Sequence, residues 1–364
     1  MSHVKASSYR LRYLDWVRGI GAVIMLQGHV WHSFLKPELK TSGIYTLSQF
    51  VGGMPPALFL FLTGITLAFL MDSIERKGMA PRTRVIESLK RSRYLFFLAF
   101  AFRLQLWIFG MPAPWQGLFK VDILNCMGFS IAVLSVMALF RTVERIRLCA
   151  ALGLAIAFLS PVITAMDLSH VPWIIRDYII PDLNAFGVFP WGAYLAFGVS
   201  VGSVIRAIPN EATERAMQWG GVLGGVLILA SNYLANAPIT IYAKSDYWLN
   251  SPAQVLTKTG VLLLMVSFAF LWTRYGAKDG WSWVRQFGTT SLLVYWVHIE
   301  LVYGHTLWFC KDSLTIPQTA AAAVLVILLM LLVSTIKTHP ERWKEFLASL
   351  GWKFNPMPDS AAGD

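Results

Sequence analysis

His29 and His298 stand inside long apolar stretches, where hydrocarbon penalises an idle polar group. A neutral imidazole can take a proton from an attacking amine or hydroxyl, or can itself carry an acyl group. Asp122 opens another apolar stretch at a similar depth, and a nearby carboxylate can hold one imidazole tautomer. These three residues are assigned to catalysis. The cysteines, Cys126, Cys149 and Cys310, lie far apart, which argues against a disulfide framework or a zinc site. No metal is expected.

The stretch Leu14 to Phe34 is long enough to cross a membrane as a helix. At 100° per residue, Arg18 and His29 differ by about 20° around that helix. Asp15 and His32 fall within roughly 40° of the same line. The opposite side carries Ile20, Val23, Leu26 and Val30. Such a stripe faces a protein interior or a wet cavity. Asp15 and Arg18 sit at the rim. They can pair with each other, fix the helix in the membrane, or line the approach of a charged acyl donor, and the last role is assigned to them. Ser291, Tyr295, His298 and His305 form a second stripe, within roughly 80° on a helix. His32 and His305 read first as ordinary satisfied histidines; His32, Tyr295 and Asn125 are assigned to the substrate. Arg103 reads as one half of a structural ion pair, with Glu300 a candidate partner.

These residues must be held by an apolar scaffold. The chain has 364 residues, 56% hydrophobic and only 14% charged, and its apolar residues come in blocks. That composition predicts an all-α polytopic membrane bundle. Ten spans are expected, near 14–35, 55–71, 94–110, 122–140, 147–166, 187–205, 216–235, 253–273, 287–309 and 319–336. Lys and Arg alternate between the intervening segments, 22 on one side and six on the other. This bias places both termini in the cytoplasm. It also explains the net charge of +11 without nucleic acid, and leaves membrane lipids as neighbours. The N-terminus lacks a cleavable signal pattern, so the first span is expected to stay. The domain is drawn as 1–340 with a short cytoplasmic tail, 341–364, whose end reads as disordered. The loops 167–186 and 236–252 carry aromatic and acidic residues that suit sugars, or an interfacial belt. Gly198 with Gly202, and Gly220 with Gly224, permit close helix packing. No internal repeat of the transporter kind is found. A homodimer is left open.

The opening YLDWVRGIGAVIMLQGH resembles the first-helix signature of the heparan-alpha-glucosaminide N-acetyltransferase catalytic-domain family. GGMPPALFLFLTGITLAF is similar to that family's second span, and VDILNCMGFS, FPWGAYLAFGVSVG and GTTSLLVYWVHIELVYG resemble later motifs. The resemblance implies a transmembrane transferase that moves acetyl from acetyl-CoA to a sugar amine, with a histidine central to transfer. Carried over by motif, the matching positions are Asp15, Arg18, Asp122 and His298. The chain departs from the pattern in its first outer loop, which lacks a histidine, and at Asn125–Cys126. His29 also fits the first helix of the broader acyltransferase family 3, which acetylates sugar hydroxyls. The expectation is an acetyl-CoA-dependent acyltransferase of a bacterial-type inner membrane, acting on an amino sugar or glycan. O-acetylation of envelope polysaccharide and non-catalytic solute transport are the alternatives.

Overall fold

The computed structural model describes residues 2–110, 114–180, 186–237, 241–277 and 280–349. The elements are α1 (Ser2–Phe34), α2 (Gly43–Gly52), α3 (Pro55–Arg76), α4 (Pro81–Phe109), α5 (Ile123–Leu134), α6 (Thr142–Ala165) and α7 (Trp173–Ile179). They continue as α8 (Val188–Ala207), α9 (Thr213–Ala235), α10 (Pro252–Leu271), α11 (Trp283–Thr289), α12 (Ser291–Tyr303), α13 (Ile316–Thr338) and α14 (Pro340–Ser349). No strand forms among the described residues. Proline at the first turn starts α3, α4, α10 and α13, where its missing N–H costs nothing. Asp122 starts α5 by accepting from the Asn125 N–H.

Six helical stretches are long and apolar enough to cross a membrane: 43–76, 81–109, 142–165, 188–207, 252–276 and 316–338. The ninth expected span, 287–309, is not one helix. It breaks at Thr290, whose hydroxyl bonds the Gln286 carbonyl and Ser334 Oγ. The helix resumes as α12 and ends at Tyr303, so His305 falls off the expected stripe. The fourth expected span shortens too: α5 stops at Leu134, and a single tight turn follows, with Ser135 Oγ bonded to the Ala132 carbonyl. Helix α2 occupies what sequence alone treats as loop, started by Ser42. The expected disordered end of the tail lies outside the described residues.

Two apolar cores share α1. Tyr13, Leu14 and Val17 join α3, α5, α6, α8 and α10, while Ala22, Leu26 and Val30 join α11, α12 and α13. Glycine sets the closest crossings. A side chain at Gly19 would strike the Val284 carbonyl, and one at Gly288 would strike the Asp15 carbonyl, so α1 and α11 meet backbone to backbone. Gly64 and Gly198 do the same for α3 and α8.

Where α3 ends, two carboxylates tie four helices together. Asp72 accepts from Arg76 at 2.8 Å, Arg206 at 2.5 Å and Thr142 Oγ1 at 3.0 Å. Glu75 pairs with Arg84 at 3.0 Å and with the fully buried Arg145 at 3.1 Å.

Candidate active site

The two polar stripes meet. His29 on α1 and His298 on α12 share a hydrogen bond, Nδ1 to Nε2, at 2.8 Å. Their ring centroids are 5.1 Å apart with planes 14° apart, so the rings meet edge to edge. His298 Nδ1 lies 2.7 Å from the Val294 carbonyl, which can only accept. His298 Nδ1 therefore carries the proton, and its Nε2 accepts. His29 Nδ1 must then be the donor, which leaves His29 Nε2 with a bare lone pair. No described residue bonds that atom. His298 is fully buried, whereas His29 lines a cavity. Ser33 Oγ donates to the Val302 carbonyl at 2.8 Å and pins α1 to α12 beside the pair.

The cavity holds about 920 Å³. On α1 its lining runs from Arg18 through His29 to His32, about 21 Å at 1.5 Å per residue. On α12 it runs from Ser291 to Tyr303, about 18 Å. One end is basic. Arg18 bonds Asp15 at 2.7 Å, Arg91 bonds Thr66 Oγ1 at 2.9 Å, and Lys337 joins them on the wall. Arg91 stands within electrostatic reach of Arg18 and has no carboxylate partner among the described residues. The other end holds His29, His32, Tyr303, Lys120 and Asp122.

The assigned residues are not all equivalent. Asp122 lines the cavity but touches neither histidine; it caps α5 and lies 3.2 Å from Arg103. That corrects the expected Arg103–Glu300 pairing: α4 turns Arg103 toward the start of α5. Tyr295 connects the two groups, with its ring 5.9 Å from His298 and its hydroxyl within electrostatic reach of Asp122 and Arg103. Asn125 is buried and is not on the cavity wall; it donates to Asp122 Oδ1 and accepts from Tyr178. His32 is exposed, lines the cavity and contacts the Tyr45 hydroxyl at 3.3 Å. Sequence reasoning passed over Tyr303, which stands edge-on to His29 at 5.4 Å, and over Arg91 and Thr66. In the loop 236–252, Tyr242 bonds the Phe158 carbonyl and Asp246 accepts from the N–H groups of Trp248 and Leu249, so these groups shape the loop. Among the described residues no cluster of three or more His, Cys, Asp or Glu could hold a metal.

Residues 10–238 match the family model for heparan-alpha-glucosaminide N-acetyltransferase, catalytic. The chain belongs to that family. No curated protein matches it. Membership implies an acetyltransferase, and the apolar helices make it an integral membrane protein. The match covers most of α1, with Arg18 and Arg91 of the basic rim, but stops before α12 and Lys337, so it takes in His29 and not its partner His298.

Proposed function

We propose that this chain transfers an acetyl group from cytoplasmic acetyl-CoA to the amine of a sugar or glycan on the far side of an inner (plasma) membrane. The observation that carries the reading is a bare imidazole nitrogen at one end of a cavity whose other end is basic. A donor with an anionic head and a distant acyl group would match those two ends. Arg18, Arg91 and Lys337 would hold its phosphates, for which Arg91 has charge to spare, and Thr63 and Thr66 line the way between. Acetyl-CoA supplies the activated acyl group. His29 Nε2 takes the proton of the attacking amine as the amide bond forms, the thioester C–S bond breaks, and the same proton goes to the departing CoA thiolate. The His298 ring, itself anchored on the Val294 carbonyl, keeps the imidazole in the tautomer that can do so. A covalent route through the same nitrogen uses the same geometry. Asp122 and Arg103, with Tyr295 and His32, would bind the acceptor. The apolar walls limit water and strengthen each polar contact.

The charge bias supports the orientation, with the basic end inward. Single cysteines at the exposed Lys77 and Arg141 should resist an impermeant reagent in intact cells, while those at Lys40 and Lys244 react; the reverse pattern rejects this orientation. The reaction is tested with purified protein, labelled acetyl-CoA and a panel of amino sugars, hydroxyl-bearing glycans and neutral sugars. Label on an amine is expected. Label on hydroxyls alone would make the enzyme an O-acetyltransferase. Solute uptake without any acyl transfer would reject the reading in favour of a transporter.

A further inference from the structure

Lys258 lies on α10, six residues past its first, beyond the stretch that the family model matches. It is partly buried, and no carboxylate or hydroxyl partners it among the described residues. Its ammonium sits 5.2 Å from the centroid of the Trp191 ring. A ring face attracts a cation, but it does not neutralise one. By contrast, Arg103 and Arg145 in this bundle have their carboxylates at 3.2 and 3.1 Å. An uncompensated cation inside a membrane bundle is costly and marks a functional site by default.

Its place in the fold narrows the function. Trp191 packs edge-on against Phe186 at 5.0 Å, and Phe186 lines the cavity. On the other side, a Cβ at Gly53 would lie 3.9 Å from the ammonium. The preceding Gly52 lines the cavity and packs on Gly28, the residue before His29. The Gly52–Gly53 backbone step, about 3.8 Å between Cα atoms, stands between the Gly28–Gly52 contact and the Lys258 head group, which is one layer behind the cavity wall. A lysine is a compact charge on a flexible stem, able to leave its ring and meet an anion.

We propose that Lys258 receives an anionic group of the acceptor, a carboxylate or a phosphate ester, close to the amine that His29 serves. Trp191 is its resting partner, and the acceptor's anion is its working one. The inference rests on the reading of the cavity as an acyltransferase site. It predicts an enzyme that prefers charged over neutral sugar acceptors.

The test uses the full-length protein reconstituted in vesicles, with three probes: an amino sugar linked to a uronic acid, the same sugar linked to a neutral hexose, and an amino-sugar phosphate. Binding is measured without acetyl-CoA, and acetyl transfer is measured separately. Wild type should bind an acidic probe about ten-fold or more tighter than the neutral one, as expected for a charge-assisted hydrogen bond. Which acidic probe gains tells carboxylate from phosphate. Lys258→Met should erase that preference and leave the neutral probe within about two-fold, while Lys258→Arg retains most of it. Lys258→Gln, which keeps a polar tip, serves if the methionine variant fails to fold. Equal affinity of wild type for charged and neutral probes, or equal losses for both in the variants, overturns the proposal. Charge-selective binding without any acetyl transfer would leave the Lys258 site standing and reject the acyltransferase reading instead.

Discussion

The bundle contains two buried polar islands, and they are built on opposite plans. The Asp72–Glu75 cluster gathers four arginines around two carboxylates and joins α3, α4, α6 and α8. None of its six ionic side chains lines the cavity. The His29–His298 pair is formally neutral, joins two helices only, and leaves one nitrogen open to the cavity. A charged network that is closed on itself holds the frame, because opening it strands a charge in low dielectric. A neutral pair with an unspent lone pair is available for chemistry. The difference lies in what each group still lacks.

The comparison can be broken by mutation, starting where the effect is largest. His29→Ala should lower acetyl transfer about 10²- to 10⁴-fold, the usual cost of losing a general base, while the protein stays folded and inserted. His29→Gln should not restore it, because an amide cannot carry a proton at neutral pH. Near-normal turnover of the glutamine variant would take His29 out of the reaction. Arg145→Met should do the reverse. Stability should fall by about 3–5 kcal/mol, as for breaking a buried pair from one side, with turnover per folded molecule within about two-fold. A thermal unfolding series with activity normalised to folded protein checks this, and a loss of turnover at unchanged stability would dissolve the contrast.

The remaining changes sharpen the contrast. His298→Leu removes the acceptor for the His29 Nδ1 proton and frees the tautomer. A drop in kcat on the order of 10²-fold with unchanged KM is expected, since the equivalent tautomer loss in a serine-protease triad costs about 10⁴. An unaltered kcat would mean that the pair is packing alone. The smallest effect should come from Arg91→Ala, which weakens one charge-assisted contact. The KM for acetyl-CoA should rise about ten-fold with kcat and acceptor KM little changed.

The α1 stripe was legible because the rest of residues 14–34 is mostly apolar, and Arg18 and His29 differ by only about 20° around an ideal helix. Their partners were not legible. His29 and His298 are 269 residues apart in sequence, and periodicity on either helix says nothing about which helix it meets. Tyr303 lies roughly 80° from Tyr295 and 140° from His298 around an ideal helix, off the stripe they share, so helical spacing does not single it out. The break at Thr290 depends on Gln286 and Ser334, a tertiary contact that hydropathy does not register. In sequence, Arg91 belongs to a basic segment that could hold phosphates but reads first as a topology signal, and its place on the cavity wall follows from α4 starting at Pro81 and presenting that face inward. Arg103 found Asp122 because α5 begins beside α4, a neighbour relation that a list of spans leaves open.

Helix α1 runs unbroken from Ser2 to Phe34, and its backbone is seated on α11 at Gly19 and Gly288. The interval between Arg18 and His29 is therefore a ruler, fixed at about 16 Å. On the proposed reading it would set the stride that an acyl donor must have, from its anionic head to its reactive carbon. A compact donor such as acetyl phosphate, whose charge sits next to its acyl group, can touch one mark on that ruler but never both. Donor selectivity would then be written in the length of one helix, with no residue needed to recognise the acetyl group itself.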